Sequence, residues 1–354
     1  MKRLTLPVVL VMALLFALPG CSSQEDKKQS HFAKGQGYFE KGEFKSARIE
    51  LKNAIQIYPY FLEALLLLAE TSLKLGDAQE AFRSYSAAAE LDPAHTEAQL
   101  KLATFLLLAQ KYEEARPRVD GILAREPNNV EALLLLAALL DQEKNLFEAD
   151  STYRKIIDIN GKEARAYLGL ARVLAQQGRV DEAERVLRQT LVIDPKSVKH
   201  RLALFSFYLA QRKFDLAEGE IQRAVADHPG DVDLLITQGN FYLGLKKHQQ
   251  AEAAYLKAVE ADPKNVRPHM VLAGYYAAIG DKEKPLAIYA RARELEPDNI
   301  NIPSAVARFH LSQGDLDAAE KENNGVLGKR PKYFPARMLQ SEILIARREF
   351  EPAV

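Results

Sequence analysis

The chain has 354 residues, of which 47% are hydrophobic and 27% are charged, and this composition excludes a disordered protein. Lys and Arg number 48 and Asp and Glu also number 48, which excludes recruitment to nucleic acid or to an anionic membrane by bulk charge. The single cysteine excludes an intrachain disulfide.

The first twenty residues have the pattern of a signal peptide. Lys2 and Arg3 form a positive segment, and an uncharged stretch of 13 residues follows from Leu6 to Leu18. A membrane-spanning helix needs about 20 apolar residues, so this stretch has the length of a signal sequence. We therefore predict a signal peptide over residues 1–20.

The only cysteine, Cys21, follows directly after a Leu-Pro-Gly segment. This segment resembles the lipobox of bacterial lipoproteins, although Pro19 replaces the usual Ala or Ser. The resemblance implies that Cys21 is the lipidated mature N-terminus, and the alternative is an ordinary secreted protein with a chance cysteine. Ser22 in place of Asp implies the outer membrane, with the protein facing the periplasm. We expect residues 21–27 to be the lipidated cysteine and a short polar tether.

From residue 28 onward the chain repeats every 34 residues without insertion. We number the positions of each repeat from 1 to 34, starting at residue 28. An alanine series at position 20 is interrupted only by Pro285, and a series of small residues at position 8 only by Phe205. Position 32 holds a proline or glycine throughout: Pro59, Pro93, Pro127, Gly161, Pro195, Pro229, Pro263, Pro297 and Pro331.

The three series predict a pair of antiparallel helices, A and B, in each repeat. Small residues at positions 8 and 20 let the two backbones approach closely. The proline ends helix B because it cannot donate to the helical ladder and its predecessor avoids the α region. Asn129, Asn265 and Asn299 at position 34 are suited to cap the next helix A.

This period and these features resemble the tetratricopeptide repeat (TPR). The resemblance implies an all-α fold, a right-handed α-solenoid of about ten helix pairs over residues 28–354. Nine repeats are complete, and the tenth, from Phe334, stops at Val354 inside its helix B. A solenoid needs a polar capping helix at its end, so we interpret the array as truncated. A partner that covers the last repeat is the alternative.

The opening of the chain supports a narrower resemblance. Its signal sequence, lipobox, tether and first repeat (AKGQGYFEKGEFKSARIELKNAIQIYP) resemble those of the PEP-CTERM system TPR-repeat lipoproteins. That family is encoded together with exopolysaccharide and protein-sorting systems. The resemblance implies a role in one of these envelope pathways.

The sequence contains no pattern that predicts catalysis, a metal site or a cofactor. The seven histidines lie apart, and none is three or four residues from another, as helical metal ligands would be. Phosphate-binding, nucleophile-elbow and EF-hand motifs are absent. We predict a protein that is not an enzyme.

In the TPR family the concave face is lined by helix A positions 2, 5, 9 and 12. Positions 5 and 12 are mostly apolar and lie seven residues apart on one helical face. We predict that the apolar stripe at position 5 binds a protein partner, and the alternative is packing between neighbouring A helices. The stripe comprises Phe32, Leu66, Leu100, Leu134, Leu168, Leu202, Ile236 and Met270.

Charges along the same face are unevenly distributed. Repeats two to four carry acidic residues, whereas repeats five and six carry Arg165, Arg172 and Lys199. We expect these basic residues to orient an acidic segment of the partner more than to add affinity.

Three functions follow from this interpretation. The first is a membrane-tethered scaffold for protein–protein interactions in a bacterial envelope assembly, linked to exopolysaccharide production or export or to protein sorting. The second is a periplasmic conduit that binds polysaccharide, which the absence of Trp disfavours because sugar sites usually present aromatic faces. The third is the regulatory part of a longer enzyme. No nucleic-acid partner is expected.

Overall fold

The computed structural model describes residues 24–348, and every regular element in that range is an α-helix. Helices with odd numbers are the A helices of the repeats and helices with even numbers are the B helices. The predicted all-α class is confirmed. The helices are α1 (Gln24–Glu40), α2 (Phe44–Ile57), α3 (Leu62–Lys74), α4 (Ala78–Leu91), α5 (Thr96–Leu108), α6 (Tyr112–Arg125), α7 (Val130–Gln142), α8 (Leu146–Ile159), α9 (Ala164–Gln176), α10 (Val180–Ile193), α11 (Val198–Ala210), α12 (Phe214–Asp227), α13 (Val232–Gly244), α14 (His248–Ala261), α15 (Val266–Ala278), α16 (Lys284–Leu295), α17 (Asn301–Ser312), α18 (Leu316–Lys329) and α19 (Phe334–Arg347).

The chain divides into two compact units, residues 1–183 and residues 184–354, with the division inside α10. Each A helix from α3 to α19 begins within one residue of the first position of a repeat. The first A helix is different, because α1 already begins at Gln24. Four residues of the predicted tether, residues 24–27, are therefore helical. Glu25 and Asp26 lie in the first turn, where negative charge interacts favourably with the helix dipole.

Each helix B from α2 to α18 ends two residues before the proline or glycine at position 32. The residue between them is extended, as at Tyr58 (φ −139°, ψ 97°) and Asp92 (φ −130°, ψ 91°). This conformation is the one that proline imposes on the residue before it. The proline favours this end of helix B, and α8 ends in the same way before Gly161.

In four repeats the carbonyl of the proline or glycine at position 32 accepts a hydrogen bond from a polar side chain at position 4 of the next helix A. A carbonyl beyond a helix end has no helical donor, so such a side chain supplies the missing partner. The four pairs are Gln99 Nε2 to the Pro93 carbonyl (3.3 Å), the Tyr167 hydroxyl to Gly161 (3.0 Å), Arg201 Nη2 to Pro195 (2.9 Å) and His269 Nε2 to Pro263 (3.0 Å).

Small residues mark the contact between helix A and helix B. Ala47, Ala81, Ala115 and Ala149 are fully buried at position 20. A methyl group added to Gly35 would lie 2.8 Å from Leu51 Cγ, inside van der Waals contact. The small side chains therefore set how closely the two helices pack.

The two exceptions in the series have visible structural consequences. Phe205 is buried and packs edge-on against Phe241, with ring centroids 5.5 Å apart. Pro285 is buried at the position of the alanines, and α16 begins at Lys284, two repeat positions later than the other B helices. A proline near a helix start is tolerated because its missing N–H would have no helical acceptor there.

Neighbouring repeats are joined by ion pairs between side chains 29 residues apart. Position 21, on helix B of one repeat, pairs with position 16 of the next repeat, the residue directly before its helix B. The pairs are Arg48 with Asp77 (3.7 Å), Asp150 with Arg179 (2.6 Å), Glu184 with Lys213 (3.1 Å) and Glu218 with Lys247 (2.7 Å).

In the second unit a buried tyrosine supports this pairing. The Tyr208 hydroxyl donates to Glu184 at 2.9 Å. Burial, together with this carboxylate, raises the pKa of Tyr208 to about 12. Burial opposes ionisation of Glu184, but hydrogen bonds from Tyr208, Lys213 and Arg188 outweigh it and lower the pKa of the carboxyl.

We predict that Gly239→Ala destabilises the second unit by about 1–3 kcal/mol through overpacking. A methyl group on Gly239 would overlap the ring of Tyr255, which is buried and whose hydroxyl is held by Asn240 at 2.8 Å. The free energy of unfolding, measured by denaturant titration followed by circular dichroism, tests the prediction.

Gly274→Ala is the matched control. Gly274 also lies inside an A helix, but a methyl group there has no neighbour within 4 Å. This variant should be unchanged or more stable by about 0.5–1 kcal/mol because alanine favours the helix. Equal effects of the two substitutions would contradict the packing argument.

Candidate functional site

The helix A face of the first unit carries half-buried leucines at position 5. Leu66 and Leu100 pack against the hydrophobic core with part of their surface, and Leu134 and Leu168 are likewise half-buried. At position 12, Leu73 of α3 is exposed. The two alternatives for the stripe therefore both apply here, because each leucine contacts the core and also presents apolar surface on the helix A face.

A cavity of about 450 Å³ opens on this face between α5, α7 and α9. Leu100, Leu134 and Leu135 provide its apolar lining. Its polar lining consists of Glu97, Lys101, Thr104, Glu131 and Arg165. An apolar site with a few polar groups around it is the usual form of a ligand-binding pocket.

Arg165 is bound by carboxylates of its own loop and of the preceding repeat. Its Nε donates to Glu163 at 2.7 Å, and its Nη1 donates to Glu131 at 2.9 Å. Both hydrogen bonds raise the pKa of the Arg165 guanidinium, and the bond to Glu163 has the larger effect. Glu131 and Arg165 both occupy position 2 of adjacent A helices, so equivalent positions of opposite charge meet.

Arg172 is bound in a similar way. Its Nη2 lies 2.7 Å from a carboxylate oxygen of Asp141, which is only 2% exposed and also accepts from Gln176 at 2.9 Å. The prediction that Arg165 and Arg172 form a basic surface for an acidic segment needs correction. Carboxylates of the preceding repeat neutralise both arginines because the A helices lie side by side.

At positions 2 and 9 of helix A in repeats two and three, the charged side chains are acidic. Glu63, Glu70 and Glu97 form no ion pair with any residue in the range 24–348 that the structure describes. Lys101 beside the cavity is the opposing charge. The helix A face of repeats two and three is therefore left with a net negative charge.

In the second unit the predicted stripe residues behave differently from one another. Leu202 and Met270 are half-buried. Ile236 is 5% exposed and belongs to a core cluster with Leu235 and Ala258, so its prediction as a groove residue is wrong. Val225, Val232 and Val271, on three helices, pack against this cluster.

Two further predicted residues have contrasting environments. Lys199 is exposed and forms no ion pair within the described part of the chain. Phe32 in the first unit is half-buried, with its ring centroid 4.9 Å from that of Phe61.

The pairing of equivalent positions was missed in the sequence, although a signal for it exists. Glu131 and Arg165 are 34 residues apart and have opposite charge, and Asp233 and Arg267 repeat this pattern and also form an ion pair. A comparison of charges at equal repeat positions would have identified both pairs.

Over residues 24–348, no group of three or more His, Cys, Asp or Glu side chains could hold a metal ion. No helix in the same range is both long and apolar enough to cross a membrane. Cys21 and the predicted signal peptide lie outside the described residues, so their assignment stays a prediction.

Two family profiles, both described as "Tetratricopeptide repeat", match the chain. One matches residues 72–140 and 142–204, and the other matches residues 32–96, 202–266 and 237–300. Together the two profiles cover well over half of the chain. A search of curated proteins found no match.

Several solved structures align with the chain. A tetratricopeptide repeat protein from Parabacteroides merdae aligns at 22% identity and a TM-score of 0.57, over 70% of this chain and 98% of that one. Pseudomonas aeruginosa PilF aligns at 18% identity with a TM-score of 0.46, over 60% of this chain and 96% of PilF. Yeast Tom70 aligns at 14% identity with a TM-score of 0.43, over 91% of this chain and 81% of Tom70. The first of these and the helix pairs confirm the predicted α-solenoid of 34-residue helix pairs.

We predict that Arg172→Ala destabilises the first unit by about 1–3 kcal/mol, because it leaves the buried Asp141 carboxylate with Gln176 alone. Lys199→Ala is the control, since Lys199 is exposed and has no carboxylate partner, and it should change stability by no more than about 0.5 kcal/mol. Urea unfolding followed by circular dichroism measures both. Indistinguishable stabilities for the two variants would show that the Arg172–Asp141 pair contributes nothing.

Proposed function

The chain belongs to the tetratricopeptide-repeat family, and we propose that it is a membrane-tethered scaffold whose helix A face captures a protein partner. In this proposal a lipid on Cys21 holds the chain at the bacterial outer membrane, facing the periplasm. The repeats carry no catalytic chemistry of their own. The observation that supports the scaffold role most directly is the apolar cavity between α5, α7 and α9.

The cavity favours an amphipathic partner segment. Leu100, Leu134 and Leu135 present apolar surface to a space of about 450 Å³, which can take a few side chains of a peptide or a helix. Apolar surface of this kind is stabilised when a partner covers it. The polar groups beside it then select among the apolar segments that could enter.

The unpaired charges define the chemistry of that partner. Glu63, Glu70 and Glu97 lack ion-pair partners in the described residues, whereas Arg165 and Arg172 are already neutralised. Glu97 and Lys101 at the cavity balance each other, so the net repulsion that an acidic segment would meet comes from Glu63 and Glu70 on the preceding A helix, α3. We therefore propose a partner segment that combines apolar side chains with Lys or Arg, in place of the acidic segment expected from the sequence.

The proposed pathway rests on the opening of the chain. The lipobox resemblance at Cys21 supports the membrane tether, and the first repeat resembles those of the PEP-CTERM system lipoproteins. We propose an envelope assembly of exopolysaccharide production or export, or of protein sorting. A polysaccharide ligand is disfavoured because the cavity has no aromatic lining residue.

Peptide binding tests the groove. Among fluorescent peptides in which leucine alternates with lysine, glutamate or serine, we expect the leucine–lysine peptide to bind most tightly and to weaken as salt is added. Leu100→Ser combined with Leu134→Ser should reduce its affinity by at least about tenfold, or about 1.4 kcal/mol. Fluorescence anisotropy gives the dissociation constants.

Leu108→Ser is the control for this experiment. Leu108 lies on the same helix, α5, and is 77% exposed, but it does not line the cavity. Its substitution should leave peptide affinity unchanged. A preference for the leucine–glutamate peptide, or an equal loss of affinity in the control, would refute the proposed site.

The lipid anchor is tested separately. Mass spectrometry of the mature protein should show acyl groups on Cys21, and Cys21→Ser should release the protein from the membrane fraction, because the acyl chains supply nearly all the membrane affinity. Ser22→Asp should keep the anchor but alter the distribution between inner and outer membranes. A Cys21→Ser protein that stays in the membrane fraction would disprove this anchor.

A further inference from the structure

The loop between α2 and α3 differs from the other loops that connect a helix B to the next helix A. It reads Tyr58-Pro59-Tyr60-Phe61. In the following eight loops, the positions of Tyr58 and Tyr60 hold charged, amide, imidazole or small side chains, such as Asp92 and Ala94 in the next loop. The first loop alone presents two aromatic side chains at its tip.

The two tyrosines are exposed although the loop is firmly packed. Tyr60 is 67% exposed and Tyr58 is 42% exposed, and their rings meet edge-on with centroids 6.0 Å apart. Phe61 is buried and packs against Phe32. The ammonium group of Lys28 lies 4.1 Å from the centroid of the Tyr58 ring and 4.9 Å from that of Phe61. Internal packing thus accounts for Phe61 but not for the outward position of the tyrosines.

The tyrosine pair lies at the end of the first unit where the chain emerges from the predicted anchor. Lys28, which contacts Tyr58, is about one helical turn from Gln24, the first residue of α1. Gln24 is three residues from Cys21, so their backbones are at most about 10 Å apart. Both tyrosine rings are therefore within about 35 Å of the Cys21 backbone, whatever path residues 21–23 take.

The chemistry of the pair fits the boundary between lipid and water. Tyrosine combines an apolar ring with a hydroxyl, and it is enriched where proteins meet the headgroups of a bilayer. Glu25 of α1 is neutralised, because its carboxylate lies 2.9 Å from the ammonium group of Lys28. A lipid surface that is held close by the acyl chains would cover the exposed rings.

We propose that Tyr58 and Tyr60 form a membrane-contact surface that seats the first repeat on the headgroup layer. The proposal rests on the lipid anchor proposed above. The acyl chains supply the affinity, and the tyrosines supply a second point of contact that fixes the orientation of the first unit. Only residues 22 and 23 separate Cys21 from the first residue of α1, so the proposed anchor would keep this surface near the headgroup layer.

The absence of tryptophan from the chain allows a direct test, since Tyr60→Trp introduces a single fluorophore. The full lipidated protein is reconstituted into vesicles of phosphatidylethanolamine and phosphatidylglycerol, with or without brominated phosphatidylcholine. Bromine quenches an indole only at lipid depth. We expect the Tyr60→Trp indole to lose most of its fluorescence in brominated vesicles.

Asn128→Trp is the matched control, because Asn128 is exposed at the same loop position two repeats further on. Its indole should keep its fluorescence in the same vesicles. A Tyr60→Trp protein that floats with the vesicles but is quenched no more than the control overturns the contact surface and leaves the anchor intact. A blue shift of the Tyr60→Trp emission without quenching would indicate a contact with protein, and it would likewise overturn the contact surface and leave the anchor intact. A protein that does not float overturns the anchor and this proposal together.

Discussion

The close approach of helix A and helix B within each repeat is the constraint on which the rest of the structure depends. Ala47, Ala81, Ala115 and Ala149 are fully buried on helix B, and glycines of helix A lie so close to helix B that a methyl group on Gly35 or Gly239 would overlap Leu51 or Tyr255. A helix pair of this kind cannot bury its apolar surfaces alone, so neighbouring repeats must stack. Once the 34-residue period fixes the small residues, it also fixes which residues lie in the loops and which lie on the helix A face.

This dependence explains how much the sequence could predict. The period located the starts of the A helices α3 to α19 to within one residue, but not that of α1, and the proline series located the ends of the B helices. Burial at one repeat position could not be predicted in the same way, because Leu202 is half-buried whereas Ile236 is core. The period shows which residues are equivalent, but the neighbours of each side chain differ from repeat to repeat. The residues before Gln24, with Cys21 among them, were predicted from resemblance and lie outside the described range.

The candidate site shows the same limit for charges. A count along the sequence separates acidic repeats from basic ones, yet side-by-side A helices bring Glu131 to Arg165 and Asp141 to Arg172. Pairing between repeats four and five neutralises Arg165 and Arg172, whereas Glu63 and Glu97 form no ion pair in the described residues. The sign of the groove is therefore a property of the stacking and not of the composition. Both charge pairs also link neighbouring repeats, so the surface that would bind a partner contributes to the stability of the stack.

The ion pairs that join consecutive B helices determine which repeats could be lost by recombination. Removal of residues 198–231 would place Glu184 beside Lys247, and the carboxylate–ammonium pair now made with Lys213 would be kept. Removal of residues 62–95 would instead bring Arg48, which now faces Asp77, beside Lys111. The second unit would therefore keep this ion pair after loss of the repeat, whereas Arg48 would lose Asp77 and retain only the carboxylate that replaces Glu80, that of Glu114.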